Sequence, residues 1–213
     1  MSFIRIPFLS QVNIHMPLPI VSDLLDGQKK LDINIAPWPE FSYQPAVSFA
    51  IAYSTAGIII QYYITEKEVR AIYNQPNDPV YKDSCVEFFV SFDERGYYNF
   101  EFNCIGTCLA AFGPNRYNRT LLPADTIQKI KSHSHIYRSD NRSGVISWQL
   151  TLILPLEVFL HHSLVDLKNK TARANFYKCG DDLAQPHYLC WNSITSPHPD
   201  FHLPQFFGEV QFD

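Results

Sequence analysis

Polar side chains able to bind hydroxyl groups recur at every second position in two segments of this sequence. In the first segment, residues 81–106, Glu87 lies in the first half, and Glu101 and Asn103 lie in the second half. Arg173 and Asn175 hold alternate positions in the other segment. Carboxylate, amide and guanidinium groups bind vicinal hydroxyls in a bidentate manner. The expected ligand is therefore a polar molecule with an apolar patch, as a sugar has.

A second interpretation of these side chains stays open. Arg173 pairs with Glu87 in this alternative, within a buried or half-buried polar network that contacts no ligand. The two arrangements can coexist in the unliganded protein.

Aromatic residues in loops are the candidate stacking surfaces. Trp38 stands between two prolines, and Trp191 has polar neighbours, so the two indoles are predicted to form opposite jaws around a ring. The alternative for both is burial, either as a plug at one end of the fold or within a late strand. Tyr81 and Tyr177 are further candidate ring partners. Trp148 shares an apolar stripe with its strand neighbours and is predicted to be core.

The elements that position these residues are short strands, because apolar residues alternate with polar ones in most of the chain. A hairpin is predicted in which Phe92 faces Tyr98 and Glu87 lies opposite Asn103. After the next turn, Leu109 is expected to face the core. The other predicted strands are residues 31–35, 47–53, 58–64, 145–154, 173–179 and 206–212, with short helices near 122–131 and 156–161.

Eight or more short strands with little helix predict an all-β fold, a two-sheet antiparallel β-sandwich with one or two short helices. The 213 residues fit one domain, 1–213, on which residues 1–30 pack as an N-terminal extension. Apolar residues make up 46% of the chain, which indicates a folded protein with a sizeable core.

The charge pattern excludes two classes of partner. The net charge is −4 and no Lys/Arg cluster is present, which argues against nucleic acid and against an anionic membrane surface. No segment has the apolar length of an export signal or a membrane span, so we expect a cytoplasmic protein, or a periplasmic or secreted one if a leader was removed. The sequence does not indicate an oligomeric state.

Metal binding is left unassigned by the sequence. The five cysteines are expected to be reduced and mostly buried. A zinc site is rejected because Cys104 and Cys108 are expected on opposite faces of their strands, away from His133 and His135. Calcium remains an alternative, although its candidate ligands do not follow the spacing of a calcium loop. These candidates are Asp83, Glu87, Asp93, Asp181 and Asp182.

Two other functions compete with ligand binding. Glu87 and Glu101 could serve a glycoside hydrolase as acid and nucleophile or base. We expect Asn103, Asn99 and Arg173 to keep both carboxylates ionised, which disfavours a general acid. The other alternative is a protein-interaction or sensory sandwich with an aromatic contact surface.

An ordered set of segments resembles the family 9 carbohydrate-binding modules from about Asp32 onward. These segments are YKDSCVEFFVSF, YYNFEFNCIGTCLAAFG, WQLTLILPLEVF, RANFYKCGD and FHLPQFFGEVQF. Modules of this family are β-sandwiches attached to xylanases and related proteins, and the resemblance is to a stand-alone branch known from gut-type bacteria. It implies a non-catalytic sugar binder in carbohydrate catabolism that holds a mono- or oligosaccharide or a polysaccharide chain end. It also implies tryptophans that clamp the sugar ring, polar side chains on its hydroxyls, and often structural calcium.

Overall fold

The computed structural model describes residues 2–138 and 144–213, which form two β-sheets packed face to face. The larger sheet has eight strands in the order β1-β13-β11-β5-β6-β7-β8, with β12 paired to β11. The smaller sheet has the order β2-β3-β4-β10-β9. The strands are β1 (Phe3–Ile6), β2 (Leu31–Asp32), β3 (Ala46–Ser54), β4 (Gly57–Glu66), β5 (Cys85–Asp93), β6 (Gly96–Asn103), β7 (Cys108–Gly113), β8 (Thr120–Leu121), β9 (Lys131–Arg138), β10 (Ile146–Leu154), β11 (Thr171–Cys179), β12 (Tyr188–Cys190) and β13 (Gly208–Phe212).

The predicted all-β sandwich is confirmed, and its named strands pair antiparallel except for β1. The first strand, β1, runs parallel to β13 at the edge of the larger sheet. The helices are few and short: α1 (Leu18–Asp26), α2 (Ala124–Ile127) and single 3-10 turns at Val80–Lys82, Leu156–Val158 and Pro204–Phe206. None of the helices in the described part of the chain has the length and apolarity needed to cross a bilayer.

The main core lies between the two sheets, where alternate residues of each strand interdigitate. The rings of Phe49 and Phe176, one from each sheet, stack with their centroids 3.8 Å apart. Trp148 is fully buried, as its apolar stripe predicts. All five cysteines are buried free thiols, which also agrees with the sequence prediction.

A buried ionic group crosses the same core and joins the sheets. The Lys178 ammonium on β11 lies 3.0 Å from a carboxylate oxygen of Glu66 on β4. Trp148 Nε1 donates to the other oxygen of Glu66 at 2.6 Å. Lys178 Nζ also donates to His187 Nε2 at 2.9 Å, and burial together with this ammonium lowers the pKa of His187 to about 3. His187 is therefore a neutral acceptor within the group.

The predicted register of the β5–β6 hairpin is wrong by two residues. Glu87 pairs with Glu101, and the ladder is interrupted between Val90 and Asp93. The Ser91 hydroxyl lies 2.6 Å and 2.7 Å from the carbonyl oxygens of Asp93 and Gly96 and stabilises this bulge. Because the difference is an even number of residues, every side chain stays on its predicted face.

The register of β7 differs from the predicted one by a single residue. The side chains of β7 therefore lie on the opposite faces of the sheet from those predicted. Phe102 pairs with Cys108 and Glu101 with Leu109, so Cys108 joins the core between the sheets and Leu109 faces outward. The cause is the turn before β7, where Asn103 Oδ1 accepts hydrogen bonds from the backbone N–H groups of Ile105 and Thr107. The sequence prediction that Leu109 faces the core is therefore wrong.

The first 30 residues contribute to both sheets. The strand β1 extends the larger sheet, and α1 packs on the outer face of the smaller one. Val21 and Leu25 of α1 are fully buried there, in a cluster with Ile59 and Ile153. This helix was not predicted from the sequence, because it has only nine residues and no side-chain cap.

Candidate functional site

A cleft of about 340 Å³ lies on the outer face of the larger sheet. Its floor is formed by Glu87 of β5, Glu101 of β6, Leu109 of β7 and Cys179 of β11. The strand register places Glu87, Glu101 and Leu109 in one row across three strands. The floor therefore belongs to the face of the larger sheet on which polar side chains were predicted from the sequence.

Two loops and a short strand form the walls. Arg116, Tyr117 and Arg119 come from the segment between β7 and β8, and the Tyr117 ring is 89% exposed. Tyr188 of β12 and Phe201 also line the cleft. The remaining lining residues are Tyr81, Asp181, Pro199, Asp200 and His202.

Both floor carboxyls resist ionisation, contrary to the sequence prediction. Burial raises the pKa of Glu101 to about 7, against the opposing effects of Arg119 and of a 3.0 Å hydrogen bond from Asn99. Burial and the Glu101 charge raise the pKa of Glu87 well above its usual value. The prediction failed because both carboxyls are only 3% exposed, and burial outweighs the polar neighbours.

Arg119 supplies the positive charge beside this pair. Its Nη1 atom lies 3.7 Å from a Glu101 oxygen, beyond hydrogen-bond distance. Its Nε atom donates to the Arg116 carbonyl at 3.0 Å, which fixes the guanidinium. Nη1 is buried and has no hydrogen-bond partner among the described residues. It is therefore a donor available to a ligand.

The structure places some of the predicted site residues in the cleft and others behind it. Tyr81, Glu87 and Glu101 line it. Trp38 is only 3% exposed and packs against the wall residues Tyr188 and Phe201, with its Nε1 donating to the Ser196 carbonyl at 2.9 Å.

Trp191 lies away from the cleft. Its ring packs edge-on against Phe49 and Phe176 in the core between the sheets. The two indoles predicted as opposite jaws therefore do not face each other across a ligand, and neither lines the cleft.

Three of the remaining predicted site residues have structural roles outside the cleft. Asn103 donates to the Tyr73 carbonyl at 2.7 Å, and Asn175 donates to the Asn192 carbonyl at 2.9 Å. Both side chains are fully buried. Tyr177 stacks on Phe201 with centroids 4.2 Å apart and so supports a wall of the cleft from behind.

Arg173 faces a different part of the same sheet. It donates to the carbonyl oxygens of Gln205 and Phe207 and lines a depression of about 750 Å³. The expected pair with Glu87 does not form. We assign the site to the smaller cleft, because two buried carboxyls with raised pKa values, two guanidinium groups and several aromatic rings line it together.

The loop residues of the cleft were not predicted from the sequence. Arg116, Tyr117 and Arg119 lie within the short segment NRYNR, where two guanidinium groups flank an aromatic ring. That composition is a usable signal for a binding loop. Tyr188 and Phe201 carry no such local signal.

The five carboxylates considered for calcium do not form an oxygen cage: within the described residues, no three of them bring carboxylate oxygens within 4.8 Å of one another. Asp83 is fully buried, and Arg70 Nη1 lies 2.7 Å from its Oδ1 atom. Its Oδ2 atom accepts from the backbone N–H groups of Ile72 and Tyr73 and from Asn103. An arginine and three further donors thus satisfy the carboxylate, which does not fit a calcium ligand.

Comparisons with known proteins agree with this architecture. The sequence profile described as carbohydrate-binding family 9 matches residues 20–212. No curated protein sequence matches the chain significantly.

One solved structure is similar in sequence as well as in fold. A proposed carbohydrate-binding protein from Bacteroides uniformis is 35% identical, covers 100% of this chain and 99% of its own, and superposes with a TM-score of 0.91.

Two further solved structures share the fold at 12% identity. Both are of a family 9 carbohydrate-binding module from Caldicellulosiruptor kristjanssonii. The complex with glucose has a TM-score of 0.63 and covers 100% of this chain and 96% of its own. The complex with cellotriose has a TM-score of 0.61 and covers 99% and 93%. The profile match over most of the sequence shows that this chain belongs to carbohydrate-binding family 9.

Proposed function

We propose that the cleft between Tyr117 and Tyr188 binds the end of a neutral oligosaccharide and does not cleave it. Family membership supports carbohydrate binding, and the cleft supplies the chemistry that such a ligand needs. The observation that carries the proposal is the meeting of buried carboxyls, two guanidinium groups and aromatic rings in one depression.

The floor can bind a pair of neighbouring hydroxyls. A carboxylic acid both donates and accepts hydrogen bonds, and the raised pKa values of Glu87 and Glu101 keep protons on this pair near neutral pH. Arg119 adds the unpaired donor described above. A diol seated on this floor would satisfy all three groups.

The rings can pack against the apolar face of a pyranose. Tyr117 is nearly free of intramolecular contacts, so a ligand would bury surface that is now exposed to water. Tyr188 is held in place by Phe41 and Trp38 behind it. One rim of the cleft is therefore exposed to water, and the other is supported by packing behind it.

Calorimetric titration with glucose, cellobiose, cellotriose and xylotriose tests the proposal. Glucose and cellotriose are the ligands of the two related solved structures. We expect Tyr117→Ala and Arg119→Ala each to raise the Kd for the best probe about tenfold, which corresponds to 1.4 kcal/mol. The matched control is Tyr137→Ala, which removes an exposed ring from β9 on the other sheet and should leave the Kd unchanged. Equal effects of the Tyr117 and Tyr137 substitutions would contradict the assignment of this cleft.

Hydrolysis is the second candidate function, because a glycosidase also needs a carboxyl whose pKa is raised. The geometry disfavours it. Glu87 and Glu101 lie side by side on one floor, whereas the two carboxyls of a glycosidase flank the scissile bond. We expect no release of reducing ends from cellotriose or xylotriose over long incubation. Release that disappears in Glu101→Gln would favour the hydrolase.

A further inference from the structure

Two thiols and a carboxyl meet at one corner of the cleft floor. Cys85 and Glu87 are alternate residues of β5 and project from the same face, and Cys179 is the direct partner of Cys85 on β11. One ligand atom from each residue lies within 4.8 Å of the other two. Among residues 2–138 and 144–213, no other group of three or more His, Cys, Asp and Glu side chains converges in this way.

The spacing suits a tetrahedral ion. Zinc binds thiolates at about 2.3 Å and carboxylates at about 2.0 Å, so its ligand atoms lie roughly 3.5–4 Å apart. The Sγ atom of Cys179 is 3.1 Å from a Glu87 oxygen, which a small outward movement would bring into that range. Two thiolates favour zinc, cobalt or cadmium, whereas calcium and magnesium require oxygen ligands.

The position of the group within the cleft explains how an ion would enter. Glu87 and Cys179 line the cleft, whereas Cys85 is buried beneath it. An ion bound to all three residues would keep its fourth coordination position toward the cleft, where water or a ligand hydroxyl could occupy it.

Metal binding would also change the protonation of the group. Burial raises the pKa of Cys85 to about 12 and that of Cys179 well above its usual value, so both are thiols in the metal-free protein. Coordination by a divalent ion requires thiolates, and binding therefore releases protons.

We propose that Cys85, Glu87 and Cys179 form a binding site for one thiophilic divalent ion of the zinc class, with its open coordination position facing the cleft. The ion has two thiolates and one carboxylate as protein ligands. This site shares Glu87 with the proposed saccharide floor but includes neither Tyr117 nor Arg119, so metal binding can be measured in the absence of any sugar.

Cobalt provides the test, because Co²⁺ bound by thiolates has an intense charge-transfer absorption. The reduced, metal-free protein is titrated with Co²⁺ and then with Zn²⁺. We expect the absorption to saturate at one Co²⁺ per chain and to vanish when Zn²⁺ displaces it. Cys179→Ser should abolish the absorption.

The control is Cys190→Ser, which removes another fully buried thiol from the neighbouring strand β12 and should keep the absorption. The readout involves no sugar, so its outcome is independent of the saccharide titrations.

A measurement on the unsubstituted protein covers the case in which Cys179→Ser fails to fold. Bound Zn²⁺ should protect Cys85 and Cys179, but not Cys190, from alkylation during partial unfolding, as peptide mass mapping would show. The proposal is overturned if Co²⁺ gives no thiolate absorption, if the absorption survives in Cys179→Ser, or if Zn²⁺ protects no cysteine. A Cys85–Cys179 disulfide in place of the metal-binding thiols would overturn it as well.

Discussion

The protonation of the Glu87–Glu101 pair is set by burial, and this has a measurable effect on stability. The pKa of Glu101 rises from 4.5 to about 7 on folding. The folded protein therefore binds a proton that the unfolded chain releases between these pH values. Burying the ionised Glu101 carboxylate lowers the free energy of unfolding. This loss is absent below about pH 4.5 and complete above about pH 7.

Glu101→Gln should remove that cost. We expect the unfolding free energy of the variant, relative to the wild type, to increase by up to about 3 kcal/mol between pH 4.5 and pH 8. Urea unfolding at several pH values measures the difference. Glu94→Gln makes the same charge change on the exposed hairpin turn and should show no such trend. A difference for Glu101→Gln that does not vary with pH would contradict the assigned shift.

Individual site residues were predictable from the sequence where strand periodicity determines them. Glu87 and Glu101 face outward because side chains alternate along a strand, and this holds whatever the register. Trp38 was harder to place. Its position between two prolines predicts a rigid loop, but only the packing of Tyr188 and Phe201 decides which face of the indole is covered.

At the scale of elements, one buried carboxylate anchors the extended segment between β4 and β5. Asp83 bonds to Arg70 and to two backbone N–H groups of that segment, and Asn103 connects it to the end of β6. This arrangement holds the segment next to Tyr81, which lines the cleft.

Asp83→Asn should therefore destabilise the protein strongly. Asparagine replaces one carboxylate oxygen with an NH2 group, which would face donors of Arg70 or of the backbone and leave them without an acceptor, at a cost of about 1–3 kcal/mol. Asp182→Asn is the matched control, since Asp182 is 42% exposed and lies 3.6 Å from the same arginine. Its effect should stay below about 1 kcal/mol. Urea midpoints compare the two variants, and similar losses would refute the anchoring role of Asp83.

Strand positions were predicted more accurately than strand registers. Apolar alternation located β3, β4, β5, β6, β10 and β11, because these strands have one face in the core. The bulge at Ser91 and the turn at Asn103 depend on side chain to backbone hydrogen bonds within a few residues. The sequence pattern does not encode such bonds, so it placed Leu109 on the wrong face.

On the scale of the whole molecule, the two sheets are joined by apolar packing and by a buried ion pair. Glu66 and Lys178 come from different sheets, and their side chains are completely buried. Such a pair contributes little net stability compared with apolar residues, but it is costly to break.

Glu66→Gln should lower the unfolding free energy by about 3–5 kcal/mol, because the Lys178 charge would stay buried without a counter-charge. Adding Lys178→Met should recover part of the loss, and a double-mutant cycle measures the coupling. The control is Glu157→Gln, which breaks the exposed pair with Lys129 and should have no measurable effect. Additive losses from Glu66→Gln and Lys178→Met would show that the two residues act independently.

The architecture was predictable because many short strands with one apolar face leave few alternatives to a sandwich. The loops that complete the cleft were not, since Arg116 and Phe201 reach it from segments about 85 residues apart in sequence. Their positions depend on long-range packing.

The row formed by Glu87, Glu101 and Leu109 gives the cleft a chemical gradient from acidic to aliphatic. The two edges of a pyranose are not equivalent: hydroxyls dominate one, and the ring oxygen and its exocyclic carbon occupy the other. In the binding mode proposed above, a pyranose on this floor would have one favoured orientation, with its hydroxyl-rich edge over the two carboxyls and its other edge over Leu109.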